Sequence, residues 1–330
     1  MTRTLKSGIL TTVSAAAFAA VTATAAVAAE KWDMPMAYPA TNFHSENAAT
    51  FAACVTAGTG GEIEIVTHPG GSLFGGADIK RAVQTGQVPI GERLLSAHAN
   101  ENPLFGIDSI PFLATSFDDA VKLWTAAEPA IAEALDEQNL VLLYTVPWPP
   151  QGFYFNMEVN SVAAMKGVKF RAYNAATAKL AELTGMLPVQ IEAAEISQAF
   201  ATGVAQAMIS SGATGYDSKL WENVSHFYEV DAWLPRNAVF VNKDTWAGLS
   251  DAAKTTLTDC AATAASDGLQ KAKDYTQFTL DGLKSNGMQV LKPSEQLKSD
   301  LKAIGETMTS EWLASAGDKG KAIVDAYKSM

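Results

Sequence analysis

An arginine at the end of a short strand-like run is the side chain in this sequence best suited to hold a small anion. Arg171 follows Val168 and Phe170, which alternate as in a strand, and it precedes a helix start at Asn174. A guanidinium at this position projects into the cleft above the strand ends, where its planar fork matches a carboxylate. The alternative is an arginine at the surface or the core edge, paired with a nearby glutamate.

Polar residues that follow or precede this arginine are candidates for orienting a bound acid. Asn174 can donate its amide to the acid or simply cap the helix. Ser210 and Ser211 can face the ligand, or they can form the ordinary turn before Gly212. Gln151 offers a neutral amide after a proline-rich break at residues 148–150. The sequence leaves these alternatives open.

The same region is rich in aromatic residues. Trp148, Phe153, Tyr154 and Tyr173 all occur near the candidate arginine or the proline-rich break. Core packing is the ordinary role of such side chains. If Trp148, Phe153 or Tyr173 lines the pocket instead, the ligand has an apolar or ring-like part.

The first half of the chain supplies three more candidates, each expected on a loop. Glu92 can accept from a ligand hydroxyl or ammonium group, or it can be a solvated charge or the partner of Arg93. Ser72 lies in a glycine-rich loop, residues 70–76. His44 follows the first strand and is either a binding residue or a satisfied structural histidine.

Strand-like and helix-like segments alternate along the chain, which predicts an α/β fold. Residues 140–144 form a continuous apolar run typical of a strand buried on both faces. Residues 250–286 read as one helix, with Ser250 as its N-cap and Gly287 as its stop. Such a helix is about 50 Å long, so we expect it to span more than one domain.

The net charge and the absence of certain motifs argue against several classes of function. The formal net charge is −11 for 330 residues, which argues against nucleic acid and anionic membranes as partners. The motifs Gly-x-Ser-x-Gly and His-Glu-x-x-His do not occur, and the glycine-rich loop is not followed by Lys-Ser/Thr. The four histidines show no metal-binding spacing, so we expect neither a metal site nor a cofactor.

The N-terminus has the pattern of a secretion signal. Arg3 and Lys6 precede an uncharged apolar run, and small residues at 26–29 supply a cleavage site. We therefore expect residues 1–29 to be removed on export to the periplasm; an uncleaved anchor is the alternative. Cys54 and Cys260 lie in helix-like segments among alanines, and although an oxidising compartment permits a disulfide, we expect them to be free and buried.

Four motifs occur in the order found in one family. In chain order they are residues 70–76 (GGSLFGG), 83–87 (VQTGQ), 105–113 (FGIDSIPFL) and 166–171 (KGVKFR). Together they resemble the substrate-binding proteins of tripartite ATP-independent periplasmic (TRAP) transporters, of the dicarboxylate-binding (DctP) type. The resemblance covers essentially the whole mature chain.

The resemblance implies a fold of two α/β lobes with a mixed sheet in each, a hinge between them and a long helix bracing both. Residues 30–148 with about 236–275 are expected to form lobe I. Residues 149–235 with about 276–330 are expected to form lobe II. It further implies that Arg171 clamps the carboxylate of an organic acid during hinge closure, without covalent chemistry.

The implied partners are a small organic acid and the integral membrane subunits of a TRAP transporter, and family habit indicates a monomer. Some relatives carry a second arginine near Gln151; the neutral amide here indicates one clamped carboxylate rather than a dicarboxylate. The alternatives are a receptor for an ATP-driven importer or a sensor, and an exported α/β hydrolase or lyase. The sequence does not choose among hydroxy or keto acids, aromatic acids and sugar acids.

Overall fold

A computed structural model describes residues 1–2 and 29–330 of the chain. The proposed signal sequence lies almost entirely outside these described residues. The strands are β1 (Glu30–Pro35), β2 (Ile63–His68), β3 (Ile90–Leu94), β4 (Leu140–Pro147), β5 (Gln151–Phe155), β6 (Lys169–Ala172), β7 (Leu187–Gln190), β8 (Ala207–Ser211), β9 (His226–Tyr228), β10 (Arg236–Asn242) and β11 (Gln289–Leu291).

Helices flank these strands. The α-helices are α1 (Phe43–Gly58), α2 (Ile79–Gln84), α3 (Phe117–Asp136), α4 (Ala175–Leu183), α5 (Ile196–Ala201), α6 (Gly212–Asp217), α7 (Lys243–Gly248), α8 (Asp251–Ser285) and α9 (Glu295–Lys328). Short 3-10 helices cover Leu95–His98, Pro103–Ser109, Val162–Met165, Ala193–Glu195 and Leu220–Glu222.

The strands form two groups, one in each lobe. In the first, β10 lies antiparallel between β3 and β4, and the parallel pair β1–β2 joins β3 through a bridge between Met36 and Glu92. In the second, the order is β11-β9-β5-β8-β6-β7, with parallel and antiparallel neighbours mixed. The predicted mixed α/β architecture is confirmed.

The chain passes between the groups three times: after β4, before β10, and along α8 from β10 to β11. The first, after β4, and the second, before β10, hydrogen-bond to each other: Trp148 N–H donates to the Pro235 carbonyl (2.7 Å) and Gln151 N–H to the Trp233 carbonyl (3.0 Å). Each lobe is therefore discontinuous in sequence, and residues 148–151 sit at the boundary.

The long helix is confirmed to within one residue at each end. The Ser250 hydroxyl accepts from the Ala253 N–H (3.1 Å) at its start, and Gly287 follows its end with a positive φ of 92°, a conformation that favours glycine. Helix α8 packs on α1 and β4 of the first group and on α6 and β11 of the second. One rigid element thus contacts both lobes.

The two cysteines form a disulfide, and the expectation of free thiols is wrong. Cys54 on α1 and Cys260 on α8 are bonded, with their Cα atoms 5.9 Å apart. The helical pattern around each residue indicates burial, but it carries no information on which helices pack together. The bond ties the brace helix to α1 of the first lobe.

Candidate functional site

A cavity of about 40 Å³ lies where the two lobes meet. A water molecule requires roughly 10–15 Å³ on this scale, so the cavity suits a small ligand. Its lining residues are Tyr38, Arg93, Leu94, Trp148, Gln151, Arg171, Tyr173, Glu192, Ala193, Ser210, Thr214 and Pro235. Both lobes contribute, so separating the lobes would dismantle the site.

Arg171 lies on β6, three residues before the helix cap Asn174, as the sequence predicts. Its side chain is buried, with the guanidinium carbon 5.0 Å from the centre of the Tyr173 ring. Its Nε donates to the Ile191 carbonyl oxygen (2.9 Å). Within residues 29–330, no carboxylate is within ion-pair distance of this guanidinium, and its terminal Nη atoms donate no hydrogen bond. The alternative of an arginine paired with a glutamate is not what the structure shows.

Burial lowers the pKa of Arg171 to about 10, the largest cause being loss of hydration. The group remains protonated at neutral pH, because its pKa is still well above 7. A cation that is buried and lacks a counter-ion gains free energy when an anion enters, since its lost hydration is then replaced. Arg171 is therefore the centre of attraction for an anion in this cavity.

A second arginine at the cavity is already paired. Arg93 on β3 donates through one nitrogen, Nη2, to both oxygens of Glu192, at 3.1 and 3.0 Å. Arg93 belongs to the first lobe and Glu192 follows β7 in the second, so the ion pair joins the lobes. Gly76, at the end of the glycine-rich loop, packs against this pair: a Cβ there would lie 2.5 Å from both Arg93 Nη1 and Glu192 Oε2.

Neutral polar groups complete the wall. Burial raises the pKa of Tyr38 to about 12, so its hydroxyl remains a donor. Ser210 on β8 and Thr214 in α6 also face the cavity, and the Thr214 hydroxyl lies 3.3 Å from that of Ser211. These groups can bind uncharged oxygen or nitrogen atoms of a ligand.

A hydrogen-bonded chain fixes the amide and phenol at the lobe boundary. The Trp233 indole donates to the Tyr173 hydroxyl (3.0 Å), which donates to Gln151 Oε1 (3.3 Å). Gln151 Nε2 donates to the Pro149 carbonyl (2.9 Å). Gln151 and Tyr173 thus reach the cavity in fixed orientations, and Trp233 supports them from behind.

Glu92 lies on strand β3 and His44 in helix α1, so the expectation of loops is wrong, and both residues lie behind the cavity wall rather than in it. The Trp148 indole donates to Asn237 (2.8 Å), and Asn237 donates to Glu92 Oε1 (3.1 Å). His44 Nδ1 is 3.3 Å from the same oxygen, and its ring centre is 4.3 Å from that of Trp148. Burial lowers the pKa of His44. These two residues support the tryptophan that lines the cavity.

The structure places four other candidates away from the cavity lining. Asn174 caps α4 and donates to the Ser96 hydroxyl of the first lobe (3.0 Å). Ser211 caps α6 through its contact with the Thr214 N–H (3.2 Å), and Phe153 is fully buried beside Phe155 and Phe170. Ser72 is exposed on the glycine-rich loop.

Several lining residues were not singled out from the sequence. Tyr38 follows the first strand, and Arg93 is adjacent to the candidate Glu92. Neither residue has a local sequence pattern that indicates a binding site. Glu192 is 99 positions from Arg93 in sequence. Only the arrival of β3 and β7 at the same edge of the cleft brings Arg93 and Glu192 together.

The fold and the cavity define a class: a two-lobed receptor that encloses a small anionic solute where its lobes meet. The model of the DctP family, described as bacterial extracellular solute-binding protein family 7, matches residues 35–315. The chain belongs to this family. It is a TRAP-type solute-binding protein, as the four sequence motifs predict.

Solved structures of relatives share the fold closely. A TRAP solute-binding protein from a marine metagenome, specific for pyroglutamate and in complex with it, is 57% identical over 92% of this chain and 99% of its own, with a TM-score of 0.91. DctP6 from Bordetella pertussis, an extracytoplasmic receptor binding pyroglutamic acid, is 43% identical over 91% of this chain and 100% of its own (TM-score 0.90). A Roseobacter denitrificans protein holding glucuronate, 19% identical over 91% of this chain and 100% of its own (TM-score 0.85), shows the fold alone.

The described residues lack two features, a membrane-spanning helix and a metal-binding cluster. No helix in residues 29–330 combines the length and apolar character needed to cross a bilayer. In the same part of the chain, His, Cys, Asp and Glu side chains form no group of three or more that could hold a metal ion.

Proposed function

We propose that this protein captures a small monocarboxylate, with pyroglutamate as the first candidate, and delivers it to the membrane subunits of a TRAP transporter. The observation that carries the proposal is the buried Arg171 guanidinium, which faces the cavity and has no counter-ion among residues 29–330. A carboxylate supplies the missing charge and two acceptor oxygens for the free Nη groups. The rest of the ligand meets neutral polar and aromatic side chains and the Arg93–Glu192 ion pair.

Charge and shape favour a compact acid with one negative charge. Arg171 and Arg93 contribute two positive charges and Glu192 one negative charge, a net charge of +1 around the cavity. Pyroglutamate carries one carboxylate, and its lactam needs both an acceptor and donors. Gln151, Ser210, Thr214 and Tyr38 can supply them. Two relatives, at 57% and 43% identity, bind this acid.

We infer that binding closes the lobes by bending the paired segments at residues 148–151 and 232–235. This places lobe I at residues 30–148 with about 236–275, and lobe II at 149–235 with about 276–330. The contacts between these segments are few and local, whereas α8 is a continuous helix that contacts both lobes. A ligand that contacts both walls binds the closed state more tightly than the open state, and this difference in affinity sets how far it shifts the protein toward closure.

The remaining parts of the proposal concern the cell. The chain is exported to the periplasm with cleavage after about residue 29, works as a monomer, and carries out no turnover. Its membrane partner recognises the closed form. Incubating the mature protein with pyroglutamate and following the acid by NMR tests the absence of turnover: a changed acid would favour an enzyme.

Isothermal titration of the mature protein with pyroglutamate tests the binding proposal. Arg171→Ala is expected to weaken binding by at least about 100-fold, because the carboxylate would lose its buried charged donor. Lys169→Ala is the matched control: Lys169 lies on the same strand, is exposed, and donates to the Gly203 carbonyl (3.1 Å) outside the cavity. It is expected to bind like the wild type.

Two results would contradict the proposal. One is a well-folded, ligand-free wild type that binds neither pyroglutamate nor any other monocarboxylate in a panel. The other is equal affinity of Arg171→Ala and the wild type, which would place the carboxylate elsewhere.

A further inference from the structure

We infer that Glu192 restricts this receptor to acids with a single negative charge, by neutralising Arg93 across the lobe boundary. The inference rests on the proposed function, since it concerns selectivity within the same cavity. Glu192 would exclude dicarboxylates without touching the bound carboxylate. It is a specificity-determining residue that acts through Arg93.

The geometry of the ion pair supports this role. Arg93 uses only Nη2 on Glu192, whose two oxygens lie 3.1 and 3.0 Å away. Its Nε is buried without a hydrogen-bond partner in the described residues. Arg93 therefore retains unused donors beside the cavity, and the Glu192 carboxylate occupies the place that a second ligand carboxylate would take.

The surroundings favour this arrangement. Gly76 leaves room for the pair, because a side chain there would meet both partners. Arg93 is only 4% exposed, so the unpaired guanidinium would be a strongly attractive site for an anion. Because the pair is neutral, Arg171 alone gives the cavity its net charge of +1, and a dianion entering it would meet the Glu192 carboxylate at short range.

Three proteins test the inference: wild type, Glu192→Gln, and the double variant Arg93→Gln with Glu192→Gln. The probes are pyroglutamate and glutarate, a dicarboxylate with the same number of carbon atoms. Glu192→Gln raises the cavity charge to +2, whereas the double variant returns it to +1. We expect Glu192→Gln to shift the affinity ratio about tenfold or more toward glutarate, and the double variant to restore the wild-type ratio.

The outcomes separate this inference from the proposed function. Wild-type binding of pyroglutamate and its dependence on Arg171 test the proposed function alone. The glutarate affinities of the three proteins test the role of Glu192 by themselves. An unchanged glutarate affinity in Glu192→Gln overturns the inference. So does a double variant that keeps the enhanced glutarate affinity, because charge would then not be the reason.

Discussion

Two buried arginines, one in each lobe, have closely similar surroundings and different states of pairing. Arg171 lies against Tyr173, with 5.0 Å from guanidinium carbon to ring centre, and Arg236 lies against Trp124 at 5.2 Å. Burial lowers the pKa of each to about 10. Burial and the aromatic contact alone would assign them the same role.

Their hydrogen bonds separate them. Arg236 donates to the Thr145 hydroxyl (3.3 Å) and the Ala120 carbonyl (3.0 Å), and its charge interacts favourably with Asp108. In the part of the chain that the structure describes, Arg171 donates a hydrogen bond only through Nε, and its terminal groups face the cavity. A buried charge satisfied within the protein is a structural element, whereas one left open toward a cavity is a binding element.

The largest expected effect concerns Asp108, the acidic neighbour of Arg236. Burial raises the pKa of Asp108 to about 7. The hydrogen bond from the Arg236 backbone N–H (2.7 Å) and the charge of the Arg236 side chain act in the opposite direction and lower this pKa. Its folded pKa exceeds the unfolded value of 3.8, so its contribution to stability is complete below pH 4 and is lost as the pH rises through 7. At 1.36 kcal/mol per pKa unit, the loss is about 4 kcal/mol.

Asp108→Asn removes this titration and keeps an acceptor for the Arg236 N–H. Urea unfolding at pH 4 to 8 is expected to show the wild type losing stability relative to the variant as the pH rises. Parallel profiles of the two proteins would mean that Asp108 titrates normally.

Arg236→Met is the next largest change. It leaves the Ala120 carbonyl and the Thr145 hydroxyl without the guanidinium donor, at about 1–3 kcal/mol for each unsatisfied group. We expect the free energy of unfolding to fall by about 2–4 kcal/mol, with pyroglutamate affinity retained where the variant folds. Chemical denaturation and titration measure the two quantities; a loss of affinity without a loss of stability would reverse the assigned role.

Features set by neighbouring residues could be predicted from the sequence, whereas contacts between residues far apart in the chain could not. Arg171 and the ends of α8 were predictable because a strand end, the Ser250 cap and the Gly287 stop are local signals. The partners Arg93 and Glu192 are 99 residues apart, and Cys54 and Cys260 are separated by 206. No local pattern encodes those pairings. Asn174 shows the intermediate case, because its helix-capping role was recognisable while its contact with Ser96 depends on how the lobes meet.

The smallest expected effect on stability is that of Arg171→Met. It distinguishes the two arginines most directly, because it makes the same substitution as Arg236→Met. Arg171→Met removes a buried cation that has no counter-ion within the described residues, and it costs one hydrogen bond to the Ile191 carbonyl. The two contributions oppose each other, since an unpaired buried charge destabilises the fold. We expect the ligand-free variant to unfold within about 1 kcal/mol of the wild type, or to be more stable, by urea denaturation. A loss as large as that of Arg236→Met would show that Arg171 holds the fold together and would remove the reason for treating it as the open charge of the site.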